Sequence, residues 1–195
     1  SIPAFSGLSC EEYEKIFSAD SYAGIVKNDV PVVQAAIEKT ASGCGDSDLT
    51  FRIFHARRGF SWTHAKIKLL RKENAAALIV ADFQNTSEET DTYANLLNQA
   101  KRIIYVIDAA TCELYYMNRT AMDFWHLDKI EGGPCHRLLR GQERRCPWCV
   151  LPDMKSGFLH KEVHYDPNLD RYLQIDAQRL RWYGRDCCAV FVTDV

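Results

Sequence analysis

The chain has 195 residues, of which 47% are hydrophobic and 26% charged, with a formal net charge of −2. This is the balance of folded globular domains, and the length suits two modules of about 100 residues each. A near-neutral surface offers no overall basic field to nucleic acid or anionic lipid, and no apolar run reaches membrane-span or signal-peptide form. A cytoplasmic chain with no nucleic-acid partner and no membrane segment is therefore expected.

From the N-terminus, Ser9 and Glu12 have the spacing of a capping box, and Tyr13, Ile16 and Phe17 continue at helical intervals. Pro31 suits a first helical turn, after which Val32, Val33, Ala36 and Ile37 form an apolar stripe that ends in the Ser42–Ser47 break. Residues 49–53 alternate as a half-buried strand does. In residues 60–70 the apolar phase changes between Phe60/Trp62 and Ile67/Leu69, so a bulge is expected near His64. Residues 75–83 form a nearly continuous apolar run that suits a central strand. A second capping box at Thr86–Glu89, followed by Tyr93, Leu96, Leu97 and Ala100 on one face, predicts a connecting helix over 87–101.

Residues 103–107 are apolar and β-branched, Asp108–Thr111 make a polar turn, and Leu114–Met117 follow closely enough to pair as a hairpin. Asn118 can cap the next helix, where Ala121, Met122 and Trp125 share a face. A turn-rich connector then leads to a loop bearing Cys135, Cys146 and Cys149, a short helix expected over Leu151–Ser156, and strands over 161–165, 171–181 and 186–195. The segment AALIVADF (76–83) matches CAVFVTDV (188–195), and Asp82 and Asp194 lie 112 residues apart. One such period is a tandem repeat rather than a solenoid.

Strand, turn, strand, Asn and helix over 103–125 resemble the opening of the PAS sensor fold. GLSCEEY (7–13), IVKNDVPVV (25–33), TFRIF (50–54), RRGFSW (57–62) and AALIVADF, taken in order, resemble the later part of a PAS domain. The resemblance implies an α+β fold of two PAS-like modules, antiparallel sheets flanked by short helices. The boundaries are 1–86, a linker helix at 87–101, and a complete domain at 102–195. The first module is expected to be N-terminally truncated, lacking its two opening strands. Its exposed sheet edge would then need a cover.

The loop GGPCHRLLRGQERRCPWCV (132–150) carries the strongest chemical signal. Cys146-Pro147-Trp148-Cys149 spaces two thiols so that they can grip one metal or form a disulfide, and Cys135 can add a third sulfur. His126 and His136, with His160 and His164 further on, are the imidazoles available as a fourth ligand. Arg137, Arg140, Arg144 and Arg145 would favour thiolate. Zinc or an iron–sulfur centre, a redox disulfide, and free structural thiols all stand open. Cys10, Cys44 and Cys112 are read as solitary, and Cys187-Cys188 as core. Tyr105, Tyr116, Trp125, Tyr172 and Trp182 could line a ligand cavity or simply fill the core.

The loop resembles one found in a subset of bacterial PAS domains. Neither flavin nor haem is expected, since the flavin signature is missing and His160, which follows the expected short helix at the place of a haem ligand, reads as a surface histidine. No catalytic motif appears among the nucleophile, P-loop, metalloprotease and dinucleotide patterns. The resemblance implies a sensing module for a small-molecule or redox signal, paired as a homodimer. It implies an effector in the same polypeptide, of diguanylate cyclase (GGDEF) or histidine kinase type. A thiol-redox or metal-dependent protein, and a ligand-free dimerisation module, are the alternatives.

Overall fold

The computed structural model describes residues 9–17, 20–57, 59–73, 76–86, 94–152, 154, 160–167 and 169–195. The chain divides into two compact units, Ser1–Asp91 and Thr92–Val195. Both are α+β with antiparallel sheets.

In the first unit, α1 (Cys10–Phe17) begins with the expected capping box. Glu12 N–H donates to Ser9 Oγ at 3.3 Å, and Ser9 N–H donates back to Glu12 Oε2 at 2.9 Å. Helix α2 (Val30–Ser42) holds Pro31 in its first turn and ends at Gly43, whose φ of +89° is open to glycine without a Cβ penalty. Val33 and Ile37 on α2 pack against Phe51, Ile53 and Ala65. These come from a sheet ordered β1-β2-β3, with β1 at Ser47–His55, β2 at Gly59–Glu73 and β3 at Ala76–Asn85.

The bulge expected near His64 is not there. Pairing of β1 with β2 runs unbroken from Ser47↔Ile67 to His55↔Gly59, and the register shifts between Leu69 and Arg71, against β3. The change of apolar phase has another cause: β2 is buried on both faces near Trp62. On the face away from α2, Arg52 is fully buried, with its guanidinium 5.3 Å from the Phe60 ring and 5.7 Å from the Trp62 ring. Asp29, also fully buried, accepts from Arg52 Nη2 at 2.8 Å, from Nε at 3.0 Å and from the Arg52 amide at 2.8 Å. Strand β3 is a second correction. Despite its central-strand composition it lies at the edge of the described sheet, with Leu78 60% and Val80 44% exposed.

The second unit has a five-stranded sheet in the order β5-β4-β8-β7-β6. Its strands are β4 (Ile103–Asp108), β5 (Leu114–Met117), β6 (His160–Asp166), β7 (Arg171–Trp182) and β8 (Arg185–Asp194). The unit's first and last strands are thus central neighbours. The hairpin turn closes on Asp108 Oδ1, which accepts from Ala110 N–H at 2.9 Å and Thr111 N–H at 2.8 Å. Asn118 caps α3 (Arg119–Phe124), accepting from Ala121 N–H at 3.0 Å. Helix α4 (Cys135–Arg140) stops at Gly141.

One face of the sheet, with Tyr105, Ile175, Ala177, Val190 and Val192, packs on Ala121, Leu139, Leu151 and Met154. Leu151 and Met154 reach this core from a turn and an irregular residue, not from the short helix expected there; residues 153 and 155–157 lie outside the described set. Residues 94–98 are helical, while residues 87–93, including most of the second capping box and Tyr93, lie outside it. No helix among the described residues is long and apolar enough to cross a membrane.

Candidate thiol cluster

The hairpin β4–β5 and the start of α4 are joined by a short ladder. Glu113 and Pro134 form an antiparallel bridge, Leu114 N–H donates to Gly133 O at 2.9 Å, and Cys135 N–H donates to Cys112 O at 2.8 Å. This pins Cys112 beside Cys135, although 23 residues separate them in sequence. The turn Cys146–Cys149 is closed by Cys149 N–H donating to Cys146 O at 3.0 Å, and Cys135, Trp148 and Cys149 pack against the core that contains Cys112. The thiols of Cys112 and Cys135 contact each other, as do those of Cys146 and Cys149, and Cys149 also reaches Cys112. Cys112 is therefore not solitary. It is the residue that sequence spacing missed, because only the tertiary bridge makes it a neighbour.

These contacts divide the charge. The Cys146 thiol donates to Cys149, whose pKa falls to about 6; burial opposes this, while the Leu151 amide and the Arg145 charge add to it. Cys135 donates to Cys112 and is pushed up, with burial adding to the rise, while Cys112 is lowered. The Cys146 thiol is likewise raised by its bond to Cys149 and by burial. Cys187 and Cys188 are fully buried and pushed up to about 12, chiefly by burial, as inert core thiols are.

Around the sulfurs stands a rigid frame. Arg140 forms a buried ion pair with Asp166 of β6 and lies over the Trp148 ring at 5.4 Å. The other side of the frame is His164, stacked on Trp148 at 5.5 Å with a 21° interplanar angle. Arg145 Nη2 donates to Ala110 O in the hairpin turn. Tyr105, buried and edge-on to Trp125 at 5.7 Å, feels the charges of Cys135, Cys146 and Arg140 after the dominant effect of burial.

The five aromatic positions read as a cavity lining do not share one face. Tyr105 and Trp125 lie on the side of α3 and the core. Tyr116, which pairs with Val106, packs on Trp182 at 5.6 Å on the opposite face. Tyr172 packs on Tyr165 at 5.2 Å and is 58% exposed. An open cleft of about 700 Å³ is lined instead by Arg102, Ile103, Thr120, Phe124, Arg171 and Asp194, among others. Of the imidazoles, His136 is buried with Nδ1 lacking a hydrogen-bond partner among the described residues, and His126 is exposed after α3. The His160 side chain lies outside the described set.

No family model and no curated protein matches the chain. Among solved structures, a PAS domain of an HTR-like protein from Haloarcula marismortui is similar at a TM-score of 0.41 and 12% identity, covering 56% of this chain and 99% of that one. A PAS domain from a two-component sensor histidine kinase gives 0.38 and 13%, covering 57% and 100%. An RNA-binding light-oxygen-voltage receptor gives 0.36 and 9%, covering 89% and 84%.

Proposed function

We propose that the chain is a regulatory, non-catalytic segment of a signalling protein, made of two PAS-like modules. The observation that supports this is the sheet order β5-β4-β8-β7-β6, with first and last strands adjacent at the centre. Its meander β6-β7-β8 has the same form as β1-β2-β3, and the matched segments AALIVADF and CAVFVTDV occupy the third strand of each. On this reading the first module carries the last three strands of the five-strand plan. The second module perceives a small molecule or redox state in the cytoplasm. It works as a homodimer and passes the change to an effector of GGDEF or histidine kinase type.

A fusion of this chain to a diguanylate cyclase output domain tests the proposal. Product formation should change under oxidants, thiophilic metals or metabolite mixtures, and should stay flat when residues 92–195 are omitted. Output that ignores every input sinks the sensor reading. The convergence of sulfurs favours a second reading, in which Cys135, Cys146 and Cys149 hold zinc or an iron–sulfur centre or form a reversible disulfide.

A further inference from the structure

We propose that Cys112, Cys135, Cys146 and Cys149 are the four ligands of a zinc ion. This deepens the metal reading of the cluster by naming the metal and supplying the fourth ligand from Cys112 rather than from His126 or His136. It stands apart from the sensor reading.

The backbone presents the sulfurs from three segments, the β4–β5 turn, the start of α4 and the Cys146–Cys149 turn. Cys112 and Cys135 are held by the 2.8 Å bond across the Glu113↔Pro134 bridge, and Cys146 and Cys149 by the 3.0 Å bond that closes their turn. Two pinned pairs suit a tetrahedral tetrathiolate site, and the bond from Arg145 to Ala110 O ties the loop that bears Cys146 to the turn that bears Cys112. A wholly sulfur donor set selects thiophilic metals over magnesium or calcium. Zinc takes four thiolates without any redox partner. Binding replaces the protons that the thiols still hold with one Zn²⁺ and leaves a net charge of −2, beside which Arg145 stands as a nearby positive charge.

A second observation concerns the backbone at Cys112. It is fully buried at φ +63°, where its amide donates to Asp108 O at 3.0 Å to close the hairpin turn. Glycine or asparagine takes such a turn position at least cost, so a buried cysteine there is held against a backbone preference. Backbone strain of this kind is concentrated at functional sites. Among the described residues, no three His, Cys, Asp or Glu side chains are grouped so as to hold an ion. Cysteine χ1 rotation must therefore draw the sulfurs around the metal.

The test uses the whole chain, purified without a tag in reducing buffer and loaded with zinc. Elemental analysis should find one zinc per chain, and cobalt(II) substitution should give thiolate-to-cobalt charge transfer of four-thiolate intensity with tetrahedral d–d bands. Cys112→Ser should weaken zinc binding at least about 10-fold in chelator competition, while His126→Ala and His136→Ala bind as wild type. Should Cys112→Ser fail to fold, the wild-type cobalt spectrum decides alone, since three-thiolate intensity overturns the proposal. Zinc kept by Cys112→Ser but lost by Cys146→Ser overturns the fourth ligand and leaves the metal reading intact. Absence of zinc and cobalt binding overturns both, and iron with a cluster chromophore after anaerobic purification overturns zinc.

Discussion

Asn118 uses every hydrogen-bonding atom of its amide inside the second unit. Oδ1 accepts from Ile104 N–H and Ala121 N–H, both at 3.0 Å, while Nδ2 donates to Leu97 O at 3.1 Å and Arg102 O at 2.8 Å. Asn118→Ala would strip the α3 cap and leave buried backbone groups unpaired, so a loss of about 3 kcal/mol is expected in chemical denaturation. Asn118→Asp keeps both acceptor contacts and loses both donors, and should fall between alanine and wild type. The first unit has a comparable residue in Asp29. Removing it strands the buried Arg52 guanidinium, so Asp29→Ala should cost about 3–5 kcal/mol, read as an early unfolding of β1 and β2. The capping role of Asn118 was legible from its place before an apolar helical stripe. Its hold on Leu97 and Arg102 was not, because local spacing says nothing about which carbonyls the fold brings near. Cys112 was hidden for the same reason, and spacing rules found the Cys146–Cys149 pair because its contact is local.

At the scale of elements, strand existence was easier to read than strand environment. Residues 76–83 spell a buried strand, yet the described sheet leaves Leu78 and Val80 exposed on β3. Period and hydrophobicity report what a strand is suited to, whereas its place in the sheet depends on neighbours elsewhere in the chain. The misplaced bulge has a related cause: the apolar alternation of residues 60–69 was read as single-sided, while Arg52, Phe60 and Trp62 make a second buried layer. An unpaired edge of this composition invites another strand. Val80→Lys should therefore leave the melting temperature nearly unchanged and weaken self-association in sedimentation experiments. Association that is insensitive to this change would place any contact between copies away from this edge.

For the whole molecule, the two similar eight-residue segments fall on β3 and β8, each the last strand of a three-strand meander, in sheets of three and five strands. Metal binding would act on one unit selectively. A ligand that binds only the folded state at 100 times its Kd adds about 2.7 kcal/mol. Chelation should accordingly speed hydrogen exchange in β4 and β5 of Thr92–Val195 and leave β1 and β2 unchanged. Equal acceleration in both units would show that the cluster does not stabilise its own unit specifically.

The stack of Arg140, Trp148 and His164 also gives the chain a built-in optical reporter. An indole beside a guanidinium and stacked on an imidazole has an emission that depends on both neighbours, and Trp148 lies in sequence between the two cysteines of its own turn. Any event that moves Cys146 or Cys149 must turn that ring within its stack. With Trp62, Trp125 and Trp182 replaced by phenylalanine, occupancy of the sulfur site could be followed in real time by fluorescence, without a label.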